Sequence, residues 1–253
     1  MPSLTAYLVK MDEPGLQKAT THPFLSAAAT SSLQPHKLKQ WLAQDRLYAL
    51  SYTNFIGSLL SQVSIPTGPD RETTIEWRIA DALIDCLNNI RNEVKMFEEA
   101  AAAEGFLEEI CSAEATVPAR ATRSYQDLFA GSLAQGRPLI VGLTVLWATE
   151  ECYLRAWRHA WSKMDQSLRP KDRDVMQRVF VPNWSSPEFE AFVRRLGGLV
   201  NKMAIEWGVE EEGWVWKECE AAFRQVLWVE AEFWPNVDED GHEVKEDQSG
   251  QSE

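Results

Sequence analysis

Apolar residues recur along this chain at intervals of three and four, the period of an amphipathic helix, and alternating segments bounded by paired turn signals are nearly absent. The pattern predicts an all-α fold. A first helix is expected from about Gly15 through THPFLSAAATSSL. A second opens near Pro35, where proline fits a first helical turn, and continues through WLAQDRLYALSYTNFIGSLLSQV until IPTGPD stops it. A third, Arg71 to about Ala103, carries Ile79, Leu83, Cys86, Leu87, Ile90, Val94 and Phe97 on one stripe, and Gly105 ends it.

The short FLEEICS segment precedes VPARATRSYQDLFAGSLAQG, where Thr122 or Ser124 is placed to cap another helix. Pro138 opens the most apolar helix, PLIVGLTVLWAT, which runs on through EECYLRAWRHAWSKM. After the polar stretch DQSLRPKDRD come SPEFEAFVRRLGGLVNKMAIEWG and WVWKECEAAFRQVLWVEAEFW, the last closed by Pro235. One helical domain over residues 1–235 is expected. The acidic tail, 236–253, lacks an apolar patch large enough to offset its ordering entropy and is expected to be disordered. No internal repeat is visible.

Composition changes this picture little: 45% hydrophobic and 25% charged residues are the balance of a globular protein, and eleven Trp supply much of the area a core needs. Charge narrows the partners. The formal net charge is −13, of which the stretch Asp238 to Glu253 contributes seven acids against one Lys. An acidic chain without a basic stripe repels phosphate backbones and anionic lipid, so neither nucleic acid nor a membrane is expected as a main partner. The longest apolar run is too short to span a bilayer, which takes about 20 residues. Four widely spaced cysteines, with no C-x-x-C pair and no leader, point to a reducing, cytoplasmic setting.

Three helices carry an acid on a face that otherwise reads as buried. Asp45 has Tyr48 and Tyr52 at i+3 and i+7; Glu150 has Trp147, Tyr153 and Trp157 at −3, +3 and +7; Glu230 lies between Leu227 and Trp234. A carboxylate removed from water without partners costs several kcal/mol or takes up a proton. Each acid singly can be a helix-edge residue reaching solvent; together they suggest a polar cavity inside a bundle, the usual place for a bundle's ligand site. Asn54, Asn92, Glu93 and Tyr125 are further polar candidates, with Glu93 equally readable as a solvent-facing residue.

Metal chemistry finds no support. A di-iron bundle wants Glu-x-x-His on two helices; of His22, His36, His159 and His242 only His242 lies three residues after a Glu, and it is in the acidic tail rather than on a helix of the bundle. His22 or His159 could serve as an axial haem ligand, but a lone His near a helix start is more often structural. No cofactor is expected. Cys152 is two residues from Glu150 and so on another side of its helix, and no nucleophile elbow, phosphate loop or zinc pattern is present.

The order THPFL, WLAQDRLYALSY, SYQDLF, LWATEECY and VEAEFW, spanning about Gly15 to Trp234, resembles the TenA (thiaminase II-like) family, and most of all its plant-type branch without an active-site cysteine. The resemblance implies a haem-oxygenase-like helical bundle without haem, a homo-oligomer, and a ring-sized pocket for the aminopyrimidine half of thiamin. The implied chemistry is hydrolysis of a carbon–nitrogen bond in thiamin breakdown products, such as aminomethylpyrimidine to hydroxymethylpyrimidine, for salvage. It further implies Asp45 as the ring anchor beside Tyr48, Glu230 as a proton donor or acceptor, Glu150 at a glutamate of the cysteine-free branch and Tyr125 near its tyrosine. Glu150 and Glu230 then read as the acid–base pair, and stacking from Tyr48, Tyr52 or Trp147 would hold the flat ring. The cysteine of the other branch falls at Val145, which cannot attack. The alternative is a non-catalytic module that binds a small aromatic heterocycle. Trp184, Trp214 and Trp216 are candidates for a contact between subunits.

Overall fold

The computed structural model describes residues 3–238 and 241–244. Eleven α-helices follow one another: α1 (Leu4–Met11), α2 (Glu13–Thr20), α3 (Pro23–Ala29), α4 (Pro35–Ser61), α5 (Ile75–Ala103), α6 (Leu107–Ile110), α7 (Arg120–Ser132), α8 (Leu139–Lys163), α9 (Val181–Ser185), α10 (Pro187–Glu206) and α11 (Trp214–Phe233). Among the described residues the only β pairing is an isolated bridge between Val237 and Glu243. The all-α expectation is met.

The helix α8 is the axis of the bundle. Ten consecutive residues, Ile140 to Thr149, are buried, and the helix packs against α2, α3, α4, α7, α9, α10 and α11. A helix apolar all round has no face to give to solvent, so it takes the centre. The long α4 and α5 pair with each other on one side, and α10 and α11 close the other.

The chain's start differs from the sequence reading. The expected first helix is two, because Asp12 accepts from the Gly15 amide at 3.0 Å to start α2, and the His22 Nδ1 accepts from the Phe24 amide at 3.2 Å to start α3; α1 precedes both, in a stretch where no helix was expected. His22 is therefore a helix cap, and burial holds its pKa down to about 4. Thr74 caps α5 from the Trp77 amide at 3.3 Å, a turn later than the Arg71 expected to begin it.

Between the polar stretch and α10 lies a segment that the periodicity did not mark. Met176–Phe180 is a widened, π-type turn leading directly into α9. Pro182 explains it, since a proline within a helix has no N–H to give and the ladder before it must rearrange. The turn places Phe180 and Trp184 in an aromatic cluster with Trp41 and Trp157, ring centroids 5.1 to 6.3 Å apart. Trp184 is 1% exposed and Trp216 is also buried, so neither is a surface contact residue; Trp214 is 64% exposed.

The described part of the acidic tail packs on the bundle. Val237 is buried, and the Lys37 Nζ reaches Glu243 at 2.9 Å. Gly241 has φ +79°, and a Cβ there would collide with the Ser32 carbonyl oxygen, so this glycine presses on the α3–α4 connection. The rest of the tail expectation concerns residues 239–240 and 245–253, outside the described residues.

Candidate functional site

Three helices contribute one stripe each to an internal cavity. On α4 the stripe is Asp45, Tyr48, Ala49 and Tyr52; on α5 it is Ile90, Glu93 and Phe97; on α8 it is Thr149, Glu150 and Tyr153, with Trp184 of α9 completing the wall. Each follows the i, i+3, i+7 or i+3, i+4 spacing that puts side chains on one helical face. The cavity volume is about 20 Å³, enough for a single water and not for a ring. This corrects the expectation of a ring-sized hollow. The larger space is a groove of about 760 Å³ between α5 and α10, open to solvent, which shares Tyr52, Ile90, Glu93 and Glu150 with the cavity. Those four residues form the neck between the two.

Hydrogen bonds tie the acids to tyrosines. The Tyr153 hydroxyl donates to Asp45 Oδ2 at 2.6 Å. The Tyr52 hydroxyl lies 2.8 Å from Glu150 Oε1 and 3.1 Å from Thr149 Oγ1. Thr149 in turn donates to the Leu146 carbonyl at 2.9 Å. One phenol proton cannot serve both neighbours: Tyr52 donates to Glu150 when that carboxyl is ionised, and can turn to Thr149 when Glu150 is itself a donor. The Trp184 indole N–H donates to Glu93 Oε1 at 3.0 Å.

No Lys, Arg or His lines the cavity. Burial without a compensating cation pushes the acids up: Asp45 to about 8, even against the Tyr153 hydrogen bond, which pulls it down. Burial and then Glu93 raise Glu150 to about 8, and burial raises Glu93 to about 7. Burial, with Asp45 second, holds Glu230 well above the usual carboxylate range.

The site residues expected from the sequence divide into three groups. Asp45, Tyr48, Tyr52 and Glu150 meet at the cavity. Tyr125 and Glu230 stand one ring behind it. The Tyr125 hydroxyl donates to Glu230 Oε2, and the Tyr125 ring meets Tyr48 edge-on at 4.8 Å. Glu230 is 2% exposed, and its Oε1 has no hydrogen-bond partner. Trp147 lies elsewhere, stacked on Phe223 of α11 at 5.9 Å and pressed on Gly197 of α10. The reason is geometric: at about 100° per residue, offsets of −3 and +3 fall roughly 60° to either side of Glu150, so Trp147 and Tyr153 diverge.

Of the remaining candidates, Asn54 is exposed and Asn92 lines the groove. Glu93 is at the neck, not a free surface residue. Tyr153 and Trp184 were not read as site residues. Tyr153 had the right offset from Glu150 to be found, whereas Trp184 sits in α9, in the stretch after the polar segment that the periodicity did not mark.

The cysteines offer no nucleophile here. All four are free, and Cys86, Cys152 and Cys219 are buried with thiol pKa values pushed up by burial. Val145 is fully buried on α8. Among the described residues no group of three or more His, Cys, Asp or Glu side chains is placed to hold a metal ion, and no helix is long and apolar enough to cross a membrane. The His159 Nε2 lies 3.4 Å from the Ser26 hydroxyl.

A profile of the TENA/THI-4/PQQC family matches residues 10–239. A probable bifunctional TENA-E protein of Glycine max is 22% identical over 85% of this chain and 85% of its own length. A Fusarium pseudograminearum protein called a probable transcription factor is 26% identical over 93% of this chain, which spans 52% of that protein's length. Among solved structures, a TenA homologue from Pyrococcus furiosus superposes with a TM-score of 0.73 at 22% identity, covering 91% of this chain and 98% of that one. A TenA family transcription regulator from a Silicibacter species superposes with 0.73 at 15% identity, over 91% and 94% of the two chains. These structures establish a shared haem-oxygenase-like helical fold. With the family profile running nearly end to end, the chain belongs to the TENA/THI-4/PQQC family.

Proposed function

We propose that the chain is a hydrolase that cleaves a carbon–nitrogen bond in a thiamin-derived aminopyrimidine, aminomethylpyrimidine to hydroxymethylpyrimidine being the type reaction. The observation that carries this reading is the meeting of Asp45, Glu93 and Glu150 in an aromatic-walled cavity with no base, with Glu230 one ring away. Such a site lacks a cation, and an aminopyrimidine protonated on its ring supplies one.

Entry of the ring widens the cavity. The ligand's paired N–H groups replace the Tyr153 donor on Asp45, since charge-assisted hydrogen bonds to a buried carboxylate are stronger than a phenol's. Tyr48 and Tyr52, already stacked at 5.2 Å, give the ring a flat wall. Movement of Tyr48 off Tyr125 opens the way to Glu230, whose unpartnered Oε1 meets a ring nitrogen. Glu150, protonated near neutral pH because burial raises it to about 8, gives its proton to the leaving amine.

The test is ammonia release from aminomethylpyrimidine. Glu150→Gln and Glu230→Gln are each expected to lower kcat by about 10²- to 10⁴-fold, the range for a lost general acid or base, with hydroxymethylpyrimidine binding retained in calorimetry. Turnover unaffected by either change removes that residue from the mechanism.

The buried Val145 where the cysteine branch has its nucleophile, and the one-water cavity, favour a second reading: a non-catalytic module that binds a small heterocycle. Binding by the wild type without ammonia release supports it. Relatives called transcription factors or regulators suggest a regulatory role for such a module; direct DNA contact is disfavoured by the charge of −13.

The setting proposed is cytoplasmic, in keeping with four free cysteines. The assembly proposed is a homo-oligomer. Trp214 and Trp228, 64% and 51% exposed, lie fourteen residues apart on one face of α11, at the spacing of two heptads. Light scattering is expected to give a multiple of 28.7 kDa, and a monomer mass refutes the assembly.

A further inference from the structure

The resemblance carried no role for Glu93, and the reaction above leaves one step without a residue: something must take a proton from the attacking water. We infer that Glu93 is that base, acting on a water that enters from the groove and attacks at the neck. The assignment rests on the hydrolase reading and deepens it.

The geometry singles Glu93 out. It is the one acid besides Glu150 that borders both the cavity and the groove, so it faces the ligand's reacting end on one side and bulk water on the other. Asp45 lines the cavity alone, and Glu230 lines neither. The two neck acids come from different helices, α5 and α8. Their orienting partners differ in kind. The Trp184 indole can only donate, so the oxygen of Glu93 that it holds must be an acceptor, whereas Glu150 meets a hydroxyl able to donate or accept. One acid is thus held ready to be a carboxylate and the other is free to carry a proton.

The reaction then balances. The water gives a proton to Glu93 as its oxygen bonds the exocyclic carbon. The carbon–nitrogen bond breaks with its electron pair on nitrogen, which takes the proton of Glu150. Ammonia leaves through the groove, and the proton on Glu93 passes back to Glu150 across the neck, restoring both. Amine and water have become alcohol and ammonia, with no other reactant.

Trp184 is a positioning residue in this scheme. The other charged groups facing Glu93 are Asp45 on α4, and Asp85, Glu188 and Arg195 around the groove. Asp85 and Arg195 neutralise each other at 2.8 Å. A bell-shaped rate profile is expected, rising as Glu93 ionises near 7 and falling as Glu150 ionises near 8.

The experiment compares wild type, Glu93→Gln and Trp184→Phe in the full chain, measuring kcat for ammonia release across pH 5 to 9 and calorimetric affinity for hydroxymethylpyrimidine. Glu93→Gln keeps the side chain's shape and an acceptor for Trp184. It is expected to lower kcat about 100-fold or more, abolish the rising limb of the profile, and leave product affinity within about threefold. Trp184→Phe is expected to move the rising limb to higher pH with a smaller loss of kcat. If Glu93→Gln keeps kcat within about threefold, or loses activity with the rising limb unmoved in the residual rate, the assignment is overturned while the hydrolase reading stands. A wild type that releases no ammonia overturns both.

Discussion

Asp45 shows how a single side chain carries both a structural and a functional demand. Its pKa of about 8 means that Asp45 is mostly a neutral acid at pH 7, hydrogen-bonded to Tyr153. Asparagine has nearly the same shape and keeps an acceptor for that phenol. Asp45→Asn is therefore expected to fold with little change in melting temperature at pH 6. Its affinity for an aminopyrimidine should nonetheless fall about 10- to 100-fold, the loss of a charged hydrogen-bond partner worth about 1.5–3 kcal/mol. Equal affinity in calorimetry would remove Asp45 as the anchor. Asp45, Tyr48, Tyr52 and Glu150 were legible because an acid among aromatics at helical spacing is conspicuous. Glu93 was a candidate left open, because it falls one position off the apolar stripe of Ile90, Val94 and Phe97, where a solvent-facing glutamate is the ordinary finding.

At the scale of elements, periodicity located every long helix, since an amphipathic or fully apolar stripe of twenty or more residues leaves few alternatives, as in α4, α5, α8 and α11. Short helices were lost where side-chain caps rather than stripes set the boundaries, as at Asp12 and His22, and where Pro182 disguised a widened turn. Trp147 was misplaced by treating −3 and +3 as one face. Its true neighbours make a separate test. A Cβ on Gly197 would come within 2.9 Å of the Trp147 indole nitrogen at the α8–α10 crossing. Gly197→Ala is expected to cost about 1–3 kcal/mol by overpacking, seen as a fall of several degrees in melting temperature. Ligand affinity should be unchanged, because Trp147 does not line the cavity. A selective loss of affinity without loss of stability would return Trp147 to the site.

For the whole molecule, the acids couple stability to pH in an unusual direction. Asp45, Glu93 and Glu150 have folded pKa values of about 8, 7 and 8 against ordinary values of 3.8 to 4.5, and Glu230 is raised further. Between pH 4 and 8 the unfolded chain has released these protons and the folded chain still holds them, so stability declines as pH rises through that window and levels off above it. His22 and His159, both lowered by burial, oppose the trend. The folded pKa of His22, about 4, lies below the ordinary 6.5, so its contribution is present above 6.5 and lost as pH falls towards 4. Two groups against four leave a net decline. Calorimetric melting temperatures are expected to fall from pH 5 to pH 8, with a shallower slope in Glu150→Gln. An aminopyrimidine protonated on its ring supplies the charge the cavity lacks and favours ionised acids. Aminomethylpyrimidine should therefore raise the melting temperature more at pH 8 than at pH 5, and a larger rise at pH 5 would show that the ligand binds without drawing protons from these carboxyls.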